Sequence, residues 1–97
     1  MEIYIFEKTG KFAENKDIAR DIRISELLPA LEHEEKVIID FDGIEVATQS
    51  FVHALLSEAI RKYGHNFFEK VEFRKCNEST KQIISVVADY IQDSLET

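Results

Sequence analysis

The sequence predicts a small α/β fold: a mixed or mostly parallel sheet with helices packed on it. Three observations carry this. Two apolar runs, EIYIFE at residues 2–7 and KVIIDF at residues 36–41, are rich in β-branched and aromatic residues and short enough for strands. Between and after them, apolar residues recur at helical spacing. A strand–helix alternation calls for parallel neighbours, because a parallel pair needs a long crossover between its strands. A chain of 97 residues has room for one domain, spanning 1–97.

The elements follow in order. Residues 2–7 hold four apolar residues in a row and read as a strand covered on both faces. Lys8-Thr9-Gly10-Lys11 is a turn signal, and Phe12-Ala13 after it reads as a short hairpin partner. Asn15 and Asp17 are N-cap types ahead of an amphipathic stripe at Ile18, Ile22, Leu27, Leu28 and Leu31. Pro29 lies inside that stripe and lacks the backbone donor a helix needs, so a kink or two short helices are expected. Glu32-His33-Glu34-Glu35 reads as a solvated loop. Residues 36–41 are a buried strand, Asp42-Gly43 a turn, and Ile44-Glu45-Val46 a short extended piece. From Ser50 the pattern turns helical, with a wide stripe at Val52, Leu55, Leu56, Ala59, Ile60 and Tyr63. Arg61 and Lys62 suit its last turn, and Gly64 its stop. Residues 71–74 form another strand, and Asn77 caps a final helix striped by Ile84, Val87, Ala88, Ile91 and Leu95.

Composition narrows the function. There are 12 Lys and Arg against 19 Asp and Glu, a net charge of −7. Such a balance disfavours nucleic acid, whose phosphates need concentrated positive charge. Apolar residues make up 44%, too many for a disordered chain, yet no run approaches the ~20 residues of a membrane span. Residues 1–7 carry no basic n-region and no cleavage site, and one cysteine, Cys76, cannot make an internal disulfide; a cytoplasmic setting is expected. No cofactor is expected.

The informative stretch is VIIDFDGIEVATQSFVHALL, residues 37–56, which joins a buried strand to a helix through a polar loop. Function collects at such carboxyl ends of strands in open α/β sheets. The strand Val37-Ile38-Ile39-Asp40-Phe41, the Gly43-Ile44 turn, Thr48-Gln49-Ser50-Phe51 leading into Ala54-Leu55-Leu56, and the step from Phe73 to Cys76-Asn77 together resemble the STAS domain of anti-sigma-factor antagonists and sulfate-transporter tails. More closely, the chain resembles a bacterial STAS-like family of unknown function, over roughly residues 15–92. In the antagonists an Asp-Ser-Ser-Gly-type turn carries a serine that a partner kinase phosphorylates. The resemblance sets Ser50 on that serine and Thr48 on the aspartate; Gln49 stands for the first serine and Phe51 for the glycine. It implies a non-enzymatic regulatory module that binds a protein, an anti-sigma factor or an ATPase of the histidine-kinase-like class. Thr48, Gln49, Ser50 and His53 are the expected contact residues and Ser50 the phosphorylation candidate. Read from the residues alone, Ser50 is an N-cap, with Thr48 the alternative cap, and His53 falls at the third helical position if Ser50 is the cap.

Other readings compete. Asp40-Phe41-Asp42-Gly43 after a hydrophobic strand also resembles the first motif of haloacid-dehalogenase-type phosphohydrolases, with Asp40 as nucleophile, Asp42 as general acid-base and Mg²⁺ as counter-charge. That enzyme also needs a later Lys and an acidic pair; Asp89 and Asp93 have the spacing but sit in an amphipathic helix, and the bland account is a strand end plus an Asp-Gly turn. A homo-oligomeric scaffold is a third reading. His33, His53 and His65 lack any ligand spacing, so no metal site is expected. Cys76, just before a helix, is either a thiol of lowered pKa or a half-buried structural one. Phe67 and Phe68 read as a loop with one ring in the core; if both were exposed, Arg61, Lys62 and Lys70 would rim an apolar patch.

Overall fold

The computed structural model describes residues 1–33 and 35–95. The elements are β1 (Glu2–Tyr4), α1 (Ile5–Thr9), β2 (Phe12–Ala13), α2 (Lys16–Ile22), a π-helical turn (Arg23–Leu27), α3 (Leu28–Glu32), β3 (Val37–Asp40), β4 (Val46–Ala47), α4 (Gln49–Tyr63), α5 (Asn66–Lys70), β5 (Val71–Arg74) and α6 (Glu78–Leu95). β1, β3 and β5 form a three-stranded sheet in that order, and β2 with β4 a two-stranded one. Every pairing among the described residues is parallel: Ile3 lies beside Ile39 and Ile39 beside Phe73, while Phe12 lies beside Val46.

Strand order explains where the core sits. From β1 to β3 to β5 the chain steps always in the same direction, and right-handed crossovers then put all connecting helices on one face. Burial alternates to match. Ile3, Val37, Ile39 and Val71 are buried under the helices, while Glu2, Tyr4 and Glu72 point to water. Arg74 straps the bare face, its guanidinium 2.8 Å from Glu2 and 3.6 Å from Glu72. Parallel sheets rarely face solvent, and a polar surface is what permits it here.

Several sequence expectations need correction. The first strand ends at Tyr4, where the chain turns into α1, and Tyr4 and Phe6 are exposed rather than covered. Only one face of this sheet is roofed, so a continuous apolar run is half wasted. β2 is no hairpin partner of β1: α1 intervenes, and β2 pairs in parallel with β4 instead. Phe67 and Phe68 lie in the short helix α5, not a loop; Phe67 is fully buried and Phe68 is 38% exposed, so the double patch does not form.

Other expectations stand. Pro29 falls in the first turn of α3, directly after the π-helical turn. The widened turn carries the helix past the carbonyl that a proline ring would strike. Asn15 caps α2 through Asp17 and Ile18 N–H groups. The stripe that runs from α2 through the π-helical turn into α3, and those of α4 and α6, are buried at Ile22, Leu27, Leu31, Val52, Leu55, Leu56, Ala59, Ile60, Ile84, Val87, Ala88 and Ile91. The side chain of Leu95, and Glu34 in the acidic segment, lie outside the described residues; Glu32, His33 and Glu35 are exposed. No helix among the described residues is long and apolar enough to cross a membrane.

Candidate functional site

The site is built on the loop between β3 and α4. Asp40 ends β3 nearly buried, 5% exposed, and its Oδ1 accepts the Asp42 N–H at 2.8 Å. That Asx-type turn brings Gly43 to φ 86°, where a side chain would be strained. A Cβ at Gly43 would also come within 2.9 Å of the Phe6 ring, so only glycine lets α1 rest on this turn. The Ile44 N–H closes it onto Phe41 O at 3.0 Å. Beyond the turn, Glu45 N–H donates to Lys11 O at 2.8 Å and Thr48 N–H to Ala13 O at 3.0 Å, pinning the loop to β2. From the other side Asn77 Nδ2 donates to Ile44 O and Glu45 O, while Asn77 Oδ1 caps α6 through the Thr80 N–H. One asparagine thus starts the last helix and anchors the loop that starts α4.

Thr48 is the N-cap of α4: its Oγ1 accepts the Phe51 N–H at 3.2 Å. Ser50 is therefore the second helical residue, and His53 the fifth rather than the third. The cap falls on Thr48 because its backbone is extended, while Gln49 already begins the helix. Ser50 is exposed, with its hydroxyl free of capping duty. Fully buried Phe51 on the next residue fixes the first turn in the core and so sets which way Ser50 points.

Ser50 borders a groove of about 440 Å³ between the start of α4 and the middle of α6. Gln49, His53 and Ala54 line one wall with Lys16, and Val86, Val87 and Tyr90 line the other. The His53 and Tyr90 rings lie 6.4 Å apart, tilted by 59°. Tyr90 is 64% exposed and Val86 53%. The structure thus brings three of the four expected contact residues together: Gln49, Ser50 and His53. Thr48 does not line the groove, because its oxygen faces the helix end. No acidic residue sits in the first turn of α4. The opposite wall was missed by sequence reasoning. Val86 and Tyr90 are one helical turn apart and off the core stripe of α6, a second apolar stripe that marks a second contact. Val46 and its register partner Phe12, just ahead of Thr48, are exposed as well.

The remaining candidates take up other places. The Asp40 carboxylate is held by the Asp42 N–H, and Asp42 is exposed, 4.0 Å from the Lys75 Nζ. Asp89 and Asp93 lie on α6. No group of three His, Cys, Asp or Glu residues among the described residues could hold a metal ion. Cys76 is half-buried, and burial pushes its thiol pKa up, against the pull of the Lys81 charge; Asp40 pushes the same way as burial. The helix-start location does not make it a reactive thiolate.

Residues 19–81, from α2 into the first turn of α6, match the STAS-like domain of unknown function. The chain belongs to that family. No curated protein and no solved structure gives a significant match. In this STAS-like domain the family match takes in Gln49, Ser50 and His53, whereas Lys16, Val86, Val87 and Tyr90 fall outside it.

Proposed function

We propose that this STAS-like domain is a non-enzymatic regulatory module that docks a protein partner on the α4–α6 groove, and that a phosphate on Ser50 switches the docking off. The observation that carries the reading is the division of labour between Thr48, which caps the helix, and Ser50, which stands exposed on the groove rim with no structural duty. Exposed Val86 and Tyr90 supply apolar anchors of the kind that dominate protein interfaces. Unmodified Ser50, Gln49 and His53 supply the polar rim.

The same position tolerates a phosphate. The first N–H groups of a helix lack intrahelical acceptors and carry partial positive charge, and Lys16 lines the groove. The modification adds about −1.5 to −2 charge to the rim, enough to repel and desolvate badly against a partner fitted to a neutral surface. By family resemblance the partner is an anti-sigma factor or an ATPase of the histidine-kinase-like class, which would also supply the phosphate.

Calorimetric titration of such an ATPase tests the docking half. Ser50→Ala is expected to bind within about twofold of the unsubstituted chain, since a small neutral side chain leaves the rim neutral. Ser50→Asp and Tyr90→Ala are each expected to weaken binding about tenfold or more. Undiminished binding by Ser50→Asp would refute the switch.

A further inference from the structure

We infer that the open edge of β5 is a second docking site, which takes an extended peptide segment of a partner protein as a fourth strand of the sheet. In β5 the Arg74 carbonyl accepts the Phe41 N–H at 2.9 Å. Main-chain groups alternate sides along a strand, so those of Glu72 and Arg74 face β3 and those of Val71 and Phe73 face outward. The Val71 N–H is taken by Phe67 O at the end of α5. The Phe73 N–H and C=O have no hydrogen-bond partner among the described residues. They form a donor–acceptor pair of the kind that an added strand engages.

A groove of about 800 Å³ runs along this edge, between β5 and the face of α6 that carries Lys81, Ile84, Ser85 and Ala88. α6 leaves the end of β5 and runs back beside it, so it roofs the slot where a further strand would lie. Ile84 and Ala88 are nearly buried and show the groove only an apolar floor, while the Phe68 ring, 38% exposed, supplies the open apolar surface for side chains of such a segment. The charges are polarised: Lys75 and Lys81 stand at the end where β5 leaves the sheet, and Asp89 lies further along α6. The nearest acids to the two lysines, Asp42 at 4.0 Å and Glu78 at 3.8 Å, are long surface pairs. The fitting segment is therefore extended, apolar at alternate positions, and acidic where it passes Lys75 and Lys81. A second copy of β5 fits less well, because it would bring its own α6 into the strip that this α6 already roofs.

Selection from a displayed library of random linear peptides tests this. Enriched peptides are expected to show the alternating apolar pattern with an acidic residue at one end. Bound, they should slow hydrogen exchange at the Phe73 N–H at least tenfold. N-methylation of the peptide residue facing Phe73, or Ser85→Trp on the exposed groove wall, should each weaken binding tenfold or more, Ser85→Trp with no change in the unfolding midpoint. Ser50→Asp should leave this binding unchanged, which separates its failure from that of the Ser50 switch. Absence of enrichment overturns the inference, as do enriched peptides that leave Phe73 exchange unaltered. Self-association that itself protects the Phe73 N–H overturns it too, and assigns the edge to a second copy.

Discussion

Two grooves flank α6, and they are made of different things. The one toward α4 is walled by side chains alone, among them an exposed hydroxyl, an imidazole and a phenol ring. The one toward β5 is floored by a strand edge, where the main chain itself is the recognition element. A side-chain surface can be rewritten by one modification. A main-chain surface is blind to side-chain identity at its centre and reads only shape, extension and flanking charge. The comparison teaches that, on the proposed function, a single helix stands between a contact that one modification can switch and a contact that no side-chain modification at its centre can reach.

The largest expected effect breaks both grooves together. Ile91 is fully buried on the α6 face between them. Ile91→Ala should cost about 2–5 kcal/mol in chemical denaturation, the range for an aliphatic core truncation, and should abolish both binding activities in parallel. If one survives at full strength, the shared-wall picture is wrong.

The loop between β3 and α4 comes next. Asp40→Ala leaves the Asp42 N–H without its acceptor and should cost about 1–3 kcal/mol. Asp40→Asn keeps an acceptor oxygen and should cost less than half as much. The same pair of variants addresses the phosphohydrolase reading: release of phosphate from a panel of phosphate esters with Mg²⁺, abolished by Asp40→Asn at unchanged stability, would make Asp40 a nucleophile rather than a turn former.

A smaller effect sharpens the contrast between cap and rim. Thr48→Ala should lower stability by about 1 kcal/mol, the ordinary worth of an N-cap. Ser50→Ala should change it by no more than about 0.5 kcal/mol, as for a surface substitution. Equal losses at both positions would mean that Ser50 shares the capping.

The smallest effect is on Cys76, in the β5 groove. Burial raises its pKa, so alkylation should be slow near neutrality and accelerate only above the ordinary thiol range. The sign for stability follows. The folded thiol keeps its proton at a pH where the unfolded one has begun to ionise, so the contribution is complete below the ordinary thiol pKa and declines as pH rises through it. A selected peptide bound in the groove should protect the Cys76 thiol further, and alkylation rates with and without the selected peptides measure this.

Much of this was legible in the sequence. Helical stripes announced α2, α4 and α6, because burial on one face imposes a period that nothing else does. Asn15, Asn77 and Gly64 marked helix ends through local hydrogen-bonding chemistry. Pro29 announced a break, and the π-helical turn is its physical form. What stayed hidden depends on contacts distant in sequence. EIYIFE could not reveal that one side of its sheet would be bare, since that follows from strand order. Phe12 could not reveal that it pairs with Val46 across 34 positions. Serine and threonine are both good caps, so Thr48 and Ser50 could be told apart only by which backbone is extended. The groove wall of Val86 and Tyr90 was readable as a stripe beside the core stripe, but its partner across the gap was not.

The central claim is that Ser50 is a free hydroxyl offered to a kinase-like partner while Thr48 is occupied. Intact-mass measurement after incubation with a histidine-kinase-like ATPase and ATP, followed by fragmentation to locate the added group, tests it most directly. The account predicts one phosphate, on Ser50, absent from Ser50→Ala and retained in Thr48→Ala. Phosphate on Thr48, or none with any ATPase that binds the chain, would contradict it.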